Sequence, residues 1–356
     1  MANIKKIHPG IYIKESLEVM EMTAKEFSIR TGISERTLSP IINGKGDITF
    51  DVAFKLALFF DNSIDFWTNL QNQYNLYILE ENKTKEFEQE WQLAKKVKKY
   101  LLEINAIALD DSKKDVVLKC RKLIGVNNLS LLNKKDSFAC LKEEHTKKNV
   151  DYFIQNFWIA LALNEARKKN DRPFNKKVLN SSLKEIRNLT TKEPSIFMPR
   201  LKEILKNSGI SFVLLPYLPK SNIYGVTKWF SKDNVMLAIS NRGGKADLFW
   251  FTLFHEISHV LMEHHREALV NIEGKEDEEA DNMATNMLIP EKDWFKFISN
   301  NNFSKATINQ FANRIGVLSM IVLGRLHKEK GRKLKYGLID KELNIHYDTN
   351  LLINID

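Results

Sequence analysis

The chain has 356 residues, 43% of them apolar, with 54 Lys and Arg against 45 Asp and Glu for a formal net charge of +9. That length makes two or more domains the expectation, and that apolar share is ordinary for a soluble globular chain. No apolar run reaches bilayer-spanning length, the N-terminus has no signal-peptide core, and Cys120 and Cys140 lack metal-type spacing, so a cytoplasmic protein with reduced thiols is expected.

The positive balance permits an anionic partner without naming one. Residues 1–50 hold seven Lys and Arg against six Asp and Glu, so charge alone does not argue for nucleic acid there. Within this stretch, Thr23-Ala24-Lys25-Glu26 has capping-box spacing and starts a helix that ends near Thr31. Gly32 supplies a tight turn, and Ser34 can cap a next helix through about Asn43. Phe27, Ile33, Leu38 and Ile42 would fill the core between them, with Ser28 small where the helices cross. Thr49 caps a helix through Phe60, and Ser63 caps another through Phe66 and Trp67 to Tyr77. The result is a five-helix bundle containing a helix-turn-helix outline.

Particular residues say more. Ile7-His8-Pro9-Gly10, Glu26-Phe27, Thr31-Gly32-Ile33-Ser34, Ile41-Ile42-Asn43-Gly44-Lys45, Asp65-Phe66-Trp67 and Asn69-Leu70-Gln71 resemble HigA-type antitoxins, repressors of the Xre class. The resemblance covers nearly all of residues 5–77. It implies a lambda-repressor-like DNA-binding domain over residues 1–80 and a homodimer with each recognition helix in a major groove of operator DNA. It also brings a cognate toxin into view as a partner. The implied DNA-facing residues are Ser34, Arg36, Thr37 and Ser39, beside Glu35, with Arg36 foremost for a base or phosphate contact. Pro40 departs from the family pattern, and a proline inside a helix removes a hydrogen bond, so a bent or shortened recognition helix is expected.

Residues 81–194 read as a helical connecting region. Asn82 to Lys99 is dense in charge, with Trp91, Leu93 and Val97 its few apolar residues, and reads as a solvated helix. Asp115 to Leu123 and Tyr152 to Arg167 read as helices, the second buried on one side through Phe153, Phe157, Trp158, Leu161 and Ala162. No residue pattern here carries chemistry. The region is expected to position the two ends of the chain and to offer a partner surface.

Further along, Ile210 to Leu215, Ile223 to Trp229 and Val235 to Ser240 read as short strands, the first preceded by a helix ending at Gly209. Arg242-Gly243-Gly244 then turns the chain into a helix from Asp247 to Met262, which contains His255-Glu256-Ile257-Ser258-His259. Histidines four apart lie on one helix face, so both imidazoles can reach one metal ion, and the glutamate after the first can touch its water. Phe251, Leu253, Phe254, Ile257, Val260 and Leu261 make the helix apolar and buried. A second helix runs from Glu276 to Leu288, with Ala280, Met283, Ala284, Met287 and Leu288 at helical spacing and acids in its first turn. A carboxylate from such a helix can complete a zinc site.

The HExxH segment followed by Glu-Ala-Asp-x-x-Ala-x-x-x-Leu-x-Pro resembles the ImmA/IrrE zinc metallopeptidases. The likeness extends through Gly225-Val226-Thr227-Lys228-Trp229, Ile239-Ser240-Asn241-Arg242, Phe249-Trp250-Phe251-Thr252, Ile315-Gly316-Val317 and Val322-Leu323-Gly324-Arg325-Leu326. It implies a zincin-like peptidase over residues 195–295 and a supporting helical, helix-turn-helix-like segment and tail over 296–356. It also implies Zn2+ held by His255, His259 and Glu279, with Glu276, Asp277 and Glu278 as substitutes for the third ligand, and Glu256 as the catalytic base. Tyr224, Arg242 and His264 are open candidates for the oxyanion donor.

The expected fold is therefore mainly α with a small β-sheet, of the α+β class. The expected function is a DNA-binding repressor carrying a zinc endopeptidase that cuts a regulatory protein, whether an Xre-type repressor, the chain itself or a partner. The competing expectation is a non-enzymatic antitoxin or repressor whose second module binds a toxin or a signal.

Overall fold

Capping side chains start the N-terminal helices. Helix α1 (Pro9–Val19) begins at His8, α2 (Ala24–Thr31) at Thr23, α3 (Glu35–Ile42) at Ser34 and α4 (Phe50–Phe60) at Thr49; each cap side chain accepts a backbone N–H of the first turn. The protein is seen in a computed structural model that describes residues 7–134, 151–168, 172–263, 275–330 and 345–347. It divides into two units, Met1–Gln89 and Glu90–Asp356.

In the first unit, Gly32 closes α2 in the left-handed conformation, and Ser28 donates to the Ile33 carbonyl at 2.6 Å across the turn. Phe27, Leu38, Ile41 and Leu56 sit at the centre of the core, with Ile42 only partly buried. Gly10 explains the His-Pro-Gly segment: a Cβ there would collide with the Ile41 carbonyl, so only glycine lets α1 approach the end of α3. Gln71 is buried and ties down the loop after α3, accepting from Ile48 N–H at 2.9 Å and donating to Asp47 at 3.0 Å. The expected shortening at Pro40 does not occur. Helix α3 continues past it to Ile42, because Leu38 and Ile41 anchor both sides of the proline in the core.

Helix α5 (Ile64–Glu103) spans 40 residues, where the sequence reads as a short helix followed by a solvated one. No glycine or proline interrupts it. The expectation of a solvated helix fails after Gln89: Glu90, Trp91, Ala94, Val97, Tyr100 and Leu101 are all buried. Their spacing of three and four is one helix face. Buried Glu90 is compensated by the Arg121 guanidinium and by Leu129 N–H at 2.8 Å.

The second unit is built on three strands, β1 (Ile210–Leu215), β2 (Gly225–Trp229) and β3 (Val235–Ser240), in the order β1-β3-β2. β1 is parallel to β3, and β2 is antiparallel to it. Helix α6 (Lys113–Ile124) packs on α7 (Tyr152–Arg167), which packs on β1 and β3. Helix α7 is buried nearly all round, including Ile154, Ile159, Ala160 and Leu163, rather than on one side. The middle region thus shares a core with the sheet. Two helices that the sequence pattern does not announce, α8 (Lys176–Leu189) and α12 (Glu291–Ser299), flank α9 (Pro194–Asn207), α10 (Ala246–Met262) and α11 (Lys275–Leu288) along the chain. Helix α13 (Lys305–Ile315) and α14 (Ser319–Lys330) follow, and α14 packs directly on α10. Among the described residues no helix is long and apolar enough to cross a membrane.

Candidate functional site

Helix α10 is aimed by the turn before it. Gly243 and Gly244 take left-handed conformations, and Gly244 N–H donates to the Asn241 carbonyl at 2.9 Å. No side chain caps the helix; instead Ala246 N–H donates to the Ile345 carbonyl at 3.0 Å. Tyr347 anchors that visiting segment, its hydroxyl accepting from Trp250 Nε1 at 2.8 Å. Helix α10 also packs on β2, β3 and α11, so it is held from several sides.

One turn apart on α10, His255 and His259 converge with Nε2 atoms 3.0 Å apart. An Asp277 oxygen lies 3.3 Å from His259 Nε2. Among the described residues, His255, His259 and Asp277 are the cluster with metal-ligand geometry, their donor atoms within 4.8 Å of one another. Two Zn–N bonds of about 2.0–2.1 Å at a tetrahedral angle separate their nitrogens by about 3.3 Å, so the pair fits one ion. Two imidazoles with a carboxylate are also a donor set that suits zinc.

The third position differs from the expected one. Glu279 is exposed and outside the cluster, whereas Asp277, one of the three neighbouring acids that the sequence offers in its place, stands in it. The reason is helical geometry: Asp277 and Asp281 are four apart and share a face of α11, while Glu279, two residues from each, points about 200° round from it. Glu278 is exposed like Glu279, and the Glu276 side chain lies outside the described residues.

Asp281 enters the sequence reading only as the last residue of the Glu-Ala-Asp stretch in the peptidase resemblance, with no role given to it; it meets His255 Nδ1 at 2.8 Å. Its other oxygen accepts from Lys328 Nζ of α14 at 2.9 Å. A proton on Nδ1, shared with Asp281, leaves His255 Nε2 with its lone pair toward the cluster. Burial, the largest influence, lowers the His255 pKa, but the Asp281 hydrogen bond and the charges of Glu256, Asp281 and Asp277 outweigh it and the net shift is upward.

Glu256 is 5% exposed. Its Oε2 accepts from Thr227 Oγ1 of β2 at 2.7 Å. Gly225 of the same strand leaves room for the other oxygen, since a Cβ there would lie 2.5 Å from Glu256 Oε1. Burial pushes the carboxyl above the usual range, against the lowering effects of His255, His259 and the Thr227 hydrogen bond. A buried carboxylate beside paired imidazoles can hold and release a proton. Gly225 and Thr227 appear in the sequence only as part of the peptidase resemblance; their spacing of two, on one face of a strand, is the signal that would have paired them.

Of the oxyanion candidates, Arg242 stacks on Tyr224 at 4.3 Å and on Tyr217 at 5.1 Å, a packed aromatic sandwich. His264 lies outside the described residues.

In the first unit, Arg36, Thr37 and Ser39 are exposed on α3, away from the face that buries Leu38 and Ile41. Ser34 is exposed too, but its hydroxyl caps α3, 3.2 Å from Thr37 N and 2.9 Å from the Thr37 hydroxyl. Ser34 and Thr37 are thereby tied to the start of the helix, and Arg36 and Ser39 are the freer outward side chains.

Comparison with known proteins addresses this unit. The Helix-turn-helix family HTH_3 matches residues 13–67. The chain is 34% identical over 82 residues to the HTH-type transcriptional regulator YbaQ of Escherichia coli (strain K12), covering 23% of this chain and 73% of that one. It is 40% identical over 63 residues to antitoxin HigA-1 of Vibrio cholerae, covering 18% of this chain and 59% of the relative. A solved addiction module antidote protein of a HigA family from Coxiella burnetii is 32% identical, covering 24% of this chain and 95% of that one, with a TM-score of 0.23. Through the five-helix unit that opens it, the chain belongs to the helix-turn-helix family of transcriptional regulators.

Proposed function

We propose that this regulator binds operator DNA as a homodimer and carries, in its second unit, a zinc-dependent endopeptidase that cuts a regulatory protein. The observation that supports the peptidase reading is the convergence of His255 Nε2, His259 Nε2 and Asp277 beside a buried Glu256. His255, His259 and Asp277 would hold a zinc ion, which would supply Lewis-acid polarisation of a scissile carbonyl and of an attacking water. Glu256 takes the proton of that water and returns it to the departing amide nitrogen, while Thr227 keeps its carboxylate oriented. Among the described residues, strand β2 pairs with β3 and is an outer strand of the order β1-β3-β2. An extended substrate segment can add there as a further strand, beside Glu256. The substrate is accordingly a protein with an accessible, unfolded stretch: an Xre-type repressor, this chain or a partner toxin.

On the DNA side, Arg36 and Ser39 of α3 reach base edges and phosphates in the major groove, and Ser34 and Thr37 hold the start of that helix against the duplex.

Metal analysis joined to intact-mass proteolysis tests the peptidase. The wild-type protein and Glu256→Gln are expected to carry about one zinc per chain, and His255→Ala none. The wild-type protein, and not Glu256→Gln, should cleave itself or a product of a neighbouring gene. Absence of stoichiometric metal from the wild type, or cleavage by Glu256→Gln at the wild-type rate, overturns the reading and leaves a regulator whose second unit binds without cutting.

A further inference from the structure

His8 starts α1 in a way that only a neutral imidazole allows. Its Nδ1 accepts from Gly10 N–H at 2.9 Å and so caps the helix. An amide N–H can only donate, so Nδ1 presents a lone pair there and the ring proton sits on Nε2. The caps of α2, α3 and α4 are the hydroxyls of Thr23, Ser34 and Thr49, all on exposed residues and none able to gain a proton near neutral pH. His8 is buried, 6% exposed, and is the one histidine in the sequence of Met1–Gln89. It is therefore the side chain of this unit whose ordinary pKa lies between about pH 5 and 8.

The ring lies against the end of the recognition helix. Helix α1 packs on α3, and a Cβ at Gly44, two residues past α3, would stand 3.7 Å from His8 Cγ. Tyr74 of α5 meets the ring nearly edge to face, with centroids 4.7 Å apart. The titratable groups bearing on the ring are thus Tyr74 and, from the loop after α3, Asp47, which Gln71 holds at 3.0 Å. Burial, the larger influence, disfavours the charged ring, and Asp47 favours it; the net pKa lies below the ordinary value.

Protonation puts a hydrogen on Nδ1, where it points at the Gly10 N–H. The cap is lost, and a positive charge is left in a buried place with no acceptor on that nitrogen. The turn of α1 that opens there carries Gly10, whose lack of a side chain seats α1 on the Ile41 carbonyl. We propose that His8 is an acid-sensitive catch for the recognition helix: protonating its ring frees the start of α1 from the end of α3 and weakens operator binding. Because the folded-state pKa is lowered, the catch is closed above about pH 6.5 and opens as pH falls through the lowered value. This regulation rests on α3 being the DNA-contacting helix and is independent of the zinc reading.

Fluorescence anisotropy of the full chain on a labelled duplex from upstream of its own gene tests the catch between about pH 7.5 and 5.5. Wild-type affinity is expected to fall by about threefold or more, within the roughly tenfold per pH unit that one proton allows. Added positive charge alone would tighten binding to a polyanion, so the loss has the opposite sign to a nonspecific effect. His8→Asn and His8→Ser keep a capping oxygen and do not titrate in this range, so their affinity should change by less than about twofold. Wild-type affinity that holds or rises in acid, or variants that lose affinity in parallel with the wild type, overturns the proposal. If the duplex is not bound at about pH 7.5, the operator reading fails instead, and amide exchange decides the catch. Peptides from α1, corrected for intrinsic rate, should then exchange faster in acid in the wild type and not in the variants. Equal protection at both pH values overturns it.

Discussion

His255 and Asp281 meet through Nδ1 and Oδ1 at 2.8 Å, and Lys328 holds the far oxygen of the same aspartate at 2.9 Å. The imidazole is thereby oriented by α11, and α11 in turn by α14. Loss of such a carboxylate behind a ligating histidine ordinarily costs about 10–100-fold in metal affinity, and Asp281→Asn is expected to fall in that range. Chelator competition on the folded variant measures it. An unchanged zinc affinity would remove the orienting role. Lys328→Met should produce a smaller loss in the same assay, because it leaves the Asp281–His255 contact itself in place.

Gly225→Ala places a methyl 2.5 Å from Glu256 Oε1, with the Glu256 side chain packed against the strand. Either the carboxylate or β2 has to move. The substitution is expected to destabilise the second unit by about 1–3 kcal/mol, read as a lower denaturant midpoint. Zinc content should stay near that of wild type, because the atoms nearest the new methyl group all belong to Glu256.

Gln71→Ala removes hydrogen bonds to Ile48 N–H, Asp47 and Asn75 at one buried position. A stability loss of about 1–3 kcal/mol in the first unit is expected, because the Ile48 amide loses its acceptor. Thermal unfolding followed by near-UV circular dichroism reads it, the side chain lying close to Trp67 in sequence. The loop between α3 and α4 should also exchange its amide protons faster.

Arg36→Ala leaves the α3 core contacts of Leu38 and Ile41 untouched. Operator affinity should fall by about 1–3 kcal/mol if Arg36 reads a base, and the salt slope should fall by about one unit if it neutralises a phosphate. Fluorescence anisotropy at several salt concentrations separates the two. Wild-type affinity and slope together would take Arg36 out of the interface.

Cys120 is fully buried, and burial pushes its thiol up to about 12. The thiolate is the reactive species, so at pH 8 the native protein should resist alkylation at Cys120 and the unfolded protein should not. Peptide mass mapping after iodoacetamide treatment distinguishes Cys120 from Cys140. Rapid native labelling at Cys120 would mean that the core of α6 and α7 opens readily.

Much of this architecture is written in short-range signals. Thr23, Ser34 and Thr49 start helices where their side chains reach a backbone N–H three residues on, a purely local geometry. Strands β1 and β3 match the predicted runs because β-branched and apolar residues stop at turn residues. His255 and His259 face the same way because any helix makes residues four apart neighbours. The extents of α5 and α7 are less legible. Charge density between Asn82 and Lys99 hides a buried face, which meets α6 through Glu90 and Arg121 and α7 through Lys96 and Phe153, and α7 is buried nearly all round because it lies inside the unit.

By itself, then, the sequence determines the helix-turn-helix unit, the two imidazoles on one face and the glutamate between them, because all three depend on residues within a few positions of each other. Which acid joins the histidines is a different kind of fact. Asp277 and Asp281, rather than Glu279, turn toward them because of how α11 is rotated against α10, and that rotation is set by packing on α10 and by the Lys328 contact from α14. A rotation about a helix axis is a property of the assembled core, to which residues far apart in the chain contribute together, and only the tertiary structure decides it.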